Sequence, residues 1–143
     1  MYAILSLRQE VFVIEQTCIF PEIDWHDQQA MHLLGWCAPA GAPRFLAAYL
    51  RCLPPGDKYV ECAIGRVVTA ASTRGCGLGR TLVGQGIART VERYPQQPIR
   101  IGAQQRLEDF YAGFGFVVAS APYLEDEMLH VEMLRPAAAP AIS

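Results

Sequence analysis

The sequence predicts a mixed α/β fold, with antiparallel strands first and one strand–helix–strand crossover after them. Three observations carry that expectation. Apolar runs at 31–37 and 44–53 are parted by the turn PAGAP and followed by the turn PPGD, the pattern of an antiparallel hairpin. A glycine-dense break at 75–79 leads into 77–94, where Leu82, Val83, Gly86, Ile87 and Val91 form one helical stripe. The short apolar run IRIGA, 99–103, then completes a crossover unit.

The elements follow in chain order. Residues 2–16 have helical spacing, with Leu5, the polar pair Arg8–Gln9 and Phe12, but no capping residue precedes them. The start therefore reads as cut close to, or into, a folded element. Residues 17–29 carry Pro21, Glu22, Asp24 and Asp27 and read as an irregular loop. Strands follow at 31–37, 44–53 and 59–70, then the helix 77–94, which YPQQP ends. A buried strand is expected at 99–103. A helix is expected at 105–114, with Leu107, Phe110, Tyr111 and Phe114 spaced i, i+3, i+4 and i+7. Two further strands are expected at 116–119 and 128–134. Residues 1–135 thus form one domain, and PAAAPAIS, 136–143, a frayed tail.

Composition narrows the function classes. The 143 residues suit a single domain, and 52% apolar content excludes a disordered chain. No apolar run approaches the roughly 20 residues of a membrane helix, and charges at Arg8, Glu10 and Glu15 interrupt any signal-like start. A cytoplasmic protein without a membrane partner is the expectation. A net charge of −2 argues against nucleic-acid binding. The five cysteines, Cys18, Cys37, Cys52, Cys62 and Cys76, contain no CxxC, so no metal site is expected.

Gly75, Gly77 and Gly79 fall between a strand and a helix start. First-turn N–H groups have no intrahelical partner, and the helix dipole makes that end positive. Such a turn can bind phosphate, or can use its glycines for tight packing alone. Neither the dinucleotide fingerprint G-x-G-x-x-G nor the G-K-[ST] of a nucleotide-triphosphate loop is present.

A longer pattern bears on the choice. Arg74-Gly75-Cys76-Gly77-Leu78-Gly79 follows Val67-Val68-Thr69, and Gln104 precedes Phe110-Tyr111-Ala112-Gly113-Phe114-Gly115-Phe116. Together these resemble the two signatures of the GNAT superfamily of N-acyltransferases. Leu7-Arg8, Val11-Phe12-Val13, Glu15-Gln16, Gly65-Arg66-Val67, Gly102-Ala103-Gln104, Tyr123, Glu125-Asp126, His130 and Met133 are similar to its ElaA-like subgroup. The resemblance spans most of 2–135. It implies a mostly antiparallel mixed sheet with a central splayed parallel pair and helices on both faces. The family's first edge strand has no counterpart here, so the sheet is expected to lack it.

The same resemblance implies acetyl-CoA as co-substrate, its pantetheine arm joining the splayed strands as an added strand would. Val67, Val68 and Thr69 would hold that arm through backbone. Arg74, Gly75, Cys76, Gly77, Leu78, Gly79 and Arg80 would cradle the pyrophosphate. Gln104 would touch the pantetheine amides, where many members have Asn. Tyr111 would be the general acid to the leaving thiolate, with Tyr123 a weaker candidate. The acceptor would be a small-molecule or peptide amine, with Glu15, Asp24, His32 and His130 as substrate-binding candidates. Asp27, Glu61 and Glu125 are further candidates to take the proton of the amine. Tyr111 sits at core spacing beside Phe110 and Phe114, but the catalytic reading is favoured over packing, whereas a structural histidine is the commoner reading for His32 and His130.

Three functions compete at this point. They are an amine N-acetyltransferase, a non-catalytic acyl-CoA sensor, and a nucleotide-binding interaction domain. Homodimerisation stays open.

Overall fold

The computed structural model describes residues 1–16 and 22–137. Cys18, Pro21 and most of the expected tail lie outside the described residues. Helix α1 (Tyr2–Arg8) runs on through a π-helical segment, Gln9–Glu15. Strands β1 (Met31–Cys37), β2 (Phe45–Leu53) and β3 (Cys62–Thr69) precede α2 (Leu78–Arg93) and β4 (Ile99–Gln104). A 3₁₀ turn, Gln105–Leu107, leads into α3 (Glu108–Ala112). Strands β5 (Val117–Val118), β6 (Tyr123–Glu125) and β7 (Met128–Arg135) follow.

The sheet order is β1-β2-β3-β4-β7-β5, with β6 also paired to β7. All pairs are antiparallel except β3–β4. Among the described residues β1 stands at the sheet's edge. Helices cover both faces. On one, α2 and α3 bury Leu82, Val83, Ile87 and Tyr111 against Leu50, Ile64, Ile101 and Met133. On the other, α1 packs Ile4, Leu7 and Val11 on Leu46, Tyr49 and Val68. Leu46 and Tyr49 share a face despite odd spacing. A bulge explains this: Gly35 pairs with Ala48 but Trp36 with Leu46, leaving Ala47 extra.

Three expectations are corrected. The third strand starts at Cys62, not 59, because Lys58, Tyr59, Val60 and Glu61 still belong to the turn that follows Leu53. The last helix is α-helical only over Glu108–Ala112, since Gly113 and Gly115 end it early. Strand β6 was not expected. It joins β7 through Asp126 and Glu127, at φ 51° and 63°, the conformation of a two-residue type I′ hairpin. That turn normally advertises itself with Asn or Gly, and neither is present.

Candidate active site

The site begins where the parallel pair fails. Strands β3 and β4 pair only at Cys62↔Ile99 and Ala63↔Arg100. Beyond that point they part, leaving β3 tied to β2 and β4 tied to β7. A second bulge lies just beyond the point of parting. Tyr49 pairs with Val68 but Arg51 with Gly65, so β3 carries one extra residue. Arg66 absorbs it at φ 51°.

A cavity of about 360 Å³ opens in the gap. It is lined by Ala63, Gly65 and Gly102 on the two parting strands, by Gln104, Leu107 and Tyr111 on the β4–α3 side, and by Phe12 and Gln16 of the N-terminal helical segment and its end. Tyr59, Glu125, Asp126 and His130 line it as well.

Tyr111 thus lies in the cavity wall, as a catalytic role requires. It is 4% exposed, and burial pushes its phenol up to about 12. Its ring also meets Phe110 and Phe116 edge-on, so it packs the core as well. Gln104 donates toward Gln16 Oε1 at 3.4 Å and accepts from Arg106 Nε at 3.0 Å, bridging the N-terminal helix to β4. Val67 lines the cavity, whereas Val68 is buried beneath α1.

The glycine turn stands at the far end of β3. Gly75 and Gly77 sit at φ 88° and 81°, and a Cβ on either would meet nothing within 4 Å. Conformation, not crowding, therefore requires glycine at both. Gly77 is the N-cap of α2, and no side chain caps that end. The first-turn N–H groups of Leu78, Gly79 and Arg80 point out of the helix start. A Cβ added at Gly79 would stand 3.9 Å from Thr69 Cγ2, an ordinary contact. The exposed Cys76 donates its thiol to Thr73 O at 2.8 Å.

The acceptor-side expectations fare unevenly. Glu15 is not at the cavity. It grips Arg74 with both carboxylate oxygens, one at 3.1 Å, while Arg74 also donates to Thr69 O at 2.9 Å. It therefore belongs to the glycine turn. His32 does not reach the cavity either: it bonds the Tyr49 hydroxyl and Asp27 O, a structural role. His130 does line it, stacked on Tyr123 with Nδ1 on Met128 O at 2.8 Å.

Asp24 reaches the cavity but is already engaged. Arg8 and Arg51, at 0% and 1% exposure, are held by Glu22, Asp24 and Asp27. Arg66 joins through Glu22 at 3.0 Å and Asp24 at 3.4 Å. Although burial opposes ionisation, the guanidiniums of Arg51 and Arg66 hold the Asp24 carboxyl well below the carboxylate range. This network fastens the loop after the N-terminal helix to β2 and to the bulge. Sequence reasoning placed Arg66 in the Gly65-Arg66-Val67 match without a role and missed Arg51, although Arg51, alone in the apolar run FLAAYLRCL, was the available signal. Glu61 pairs with Arg100 at 3.0 Å, outside the cavity lining.

Among the described residues no group of three His, Cys, Asp or Glu side chains could hold a metal. None of the described helices is long and apolar enough to cross a membrane.

Comparison with known proteins agrees with this geometry. A family model described as an acetyltransferase (GNAT) domain matches residues 57–135. A UPF0039 protein of Synechocystis sp. is 39% identical over 94% of this chain and 84% of its own length. The ElaA protein of Escherichia coli is 36% identical over 94% and 86%, and its crystal structure superposes with a TM-score of 0.84, covering 94% and 88%. A crystal structure of an acyl-CoA N-acyltransferase from Pseudomonas aeruginosa is 38% identical, with a TM-score of 0.85 over 94% of this chain and 88% of that one.

Proposed function

Because the chain belongs to the GNAT acetyltransferase family, among its ElaA-like members, we propose that it transfers an acetyl group from acetyl-CoA to a primary amine. One observation carries the reading: the strand pair parts after Ala63↔Arg100, and a cavity walled by Tyr111 fills the gap. Backbone groups freed by that parting suit the amides of a pantetheine arm. The glycine turn, with its uncapped helix start and Arg74, suits a pyrophosphate.

The amine attacks the thioester carbonyl directly, forming a tetrahedral intermediate that expels the CoA thiolate. A thiol titrates near about 8.5. Full proton transfer from a phenol held at about 12 would be uphill by about 5 kcal/mol. Tyr111 therefore acts by donating a hydrogen bond to the developing thiolate. It steers to sulfur the proton that the attacking nitrogen gives up. Glu125, at the end of β6, and Asp126, in the hairpin turn, line the cavity and provide a negative field for a cationic acceptor.

The test is thiol release from acetyl-CoA across a panel of primary amines, with CoA binding followed by calorimetry. Turnover that falls about 10²-fold in Tyr111→Phe, with CoA affinity kept, supports the assignment. Tight CoA binding without turnover on any amine would leave the sensing module instead.

A further inference from the structure

Gly102 lies on β4 in the cavity lining, and three oxygens converge on the side where its Cβ would stand. Glu132 Oε2 is 3.0 Å from that point, Tyr123 Oη 3.3 Å and Tyr59 Oη 3.8 Å. They come from three separate elements. Glu132 pairs with Gly102 across β4–β7, Tyr123 is on β6, and Tyr59 is in the turn after β2. Tyr123 donates to Glu132 Oε2 at 2.6 Å, and Arg100 donates to Oε1 at 3.3 Å. The Tyr59 hydroxyl also interacts with this carboxylate.

Only one of the three oxygen-bearing side chains, Tyr59, lines the cavity. Glu132 sits behind it. A phenol whose hydrogen is directed at a carboxylate presents its lone pair the other way. The charged groups facing Tyr59 are Glu132, Glu125, Arg100 at 5.4 Å from its ring centroid and Lys58 at 5.6 Å. Burial and the two glutamates push its hydroxyl up to about 12, so it stays protonated and can pass a proton on.

Resting on the acyltransfer reading, we propose that this cluster is the acceptor subsite. A primary alkylammonium docks at Gly102, and its proton passes through the Tyr59 hydroxyl to Glu132. An alkylammonium near about 10.4 must lose one proton before its nitrogen can attack. The N–H bond breaks as nitrogen's proton moves to Tyr59 Oη, and the Tyr59 proton moves to a Glu132 oxygen. Tyr59 ends as an unchanged phenol. The transfer is uphill, because a carboxylate is a far weaker base than an alkylamine, so the neutral carboxylic acid is transient and gives its proton to solvent as the neutral amine attacks. Tyr59 is then a catalytic residue; Glu132 acts through it as a positioning residue and transient proton acceptor. The second proton, released after attack, is the one that goes to sulfur.

The experiment compares n-butylamine with methoxyamine, which is neutral at pH 7.5, as acceptors for wild type, Tyr59→Phe and Glu132→Gln. Expected for n-butylamine is a loss in kcat/KM of about 30-fold or more at pH 7.5 that recedes as pH approaches 10. Methoxyamine should lose less than about 3-fold, and CoA affinity should stay level. A loss equal for both amines and at every pH overturns the relay, as does no loss. A second readout needs no turnover: the ζ-¹³C signal of Tyr59, assigned by its absence in Tyr59→Phe, is followed during titration with n-butylammonium chloride. A shift in wild type that is absent in Glu132→Gln supports the subsite. No shift, or the same shift in both, overturns it. If wild type shifts but turns over neither amine, the acyltransfer reading fails while the cation subsite stands.

Discussion

Replacing Asp24 by Asn keeps the side chain's shape and removes its charge. Arg51 is 1% exposed and donates twice to Asp24, at 2.8 Å through Nη1 and again through Nη2. It would keep Asp27 at 3.0 Å, while its Nε has no hydrogen-bond partner among the described residues even in wild type. Removing one member of a buried ion pair costs about 3–5 kcal/mol. The retained Asp27 and the amide oxygen lower that to about 2–3 kcal/mol, or a melting temperature lower by about 6–10 °C. The cost should also depend on pH in a fixed direction. An aspartate held below its ordinary value stabilises the fold while ionised. That contribution is complete above the unfolded value near about 3.9, and it fades as pH falls toward the lowered folded value. The deficit of Asp24→Asn against wild type should therefore be flat from about pH 8 to 5 and narrow below about pH 4. Asp27 is lowered for similar reasons, but it is present in both proteins and drops out of the difference. Urea unfolding followed by circular dichroism across that pH range measures it. A variant as stable as wild type at pH 7, or a deficit that widens in acid, would refute the reasoning.

Three other substitutions separate the parts of the fold. Glu15→Gln frees Arg74 from a carboxylate that competes with a ligand phosphate. CoA should bind tighter, up to about 5-fold for an exposed pair, and weaker binding in calorimetry would instead make Glu15 an orienting group. Gly86→Ala gains about 1 kcal/mol of helix propensity but sets a Cβ 2.6 Å from Leu50 Cδ2. Overpacking of about 1–3 kcal/mol should win, giving a lower urea midpoint at unchanged m-value. Gly77→Val forces a β-branched residue to φ 81° at the α2 N-cap. It should cost about 1–2 kcal/mol in thermal melts and weaken CoA binding, and an unchanged affinity would detach the turn from the donor.

Local patterns made most of the architecture legible. The hairpin was marked by PAGAP and PPGD, α2 by its stripe, and the turn before α2 by three glycines in a fixed spacing. Each of these signals acts within a few residues, so it survives in one dimension. What escaped was encoded without such a mark. The β6–β7 hairpin turns through Asp126 and Glu127 with no glycine or asparagine, and is held by pairing to a strand already in place. Glu15 looked like a substrate contact until folding set it on Arg74, which lies 59 positions away.

The sequence by itself determined the family, the order of elements and the residues of the glycine turn, because sterics and hydrogen bonding of adjacent residues decide those. The tertiary structure decided where charge and cavity lie. Arg8, Arg51 and Arg66 find Glu22, Asp24 and Asp27 only once α1 and β3 flank the same loop. Tyr59, Tyr123 and Glu132 share one glycine only because β7 runs antiparallel beside β4. Desolvation and Coulomb interaction depend on distances through space, and no spacing along the chain states those distances.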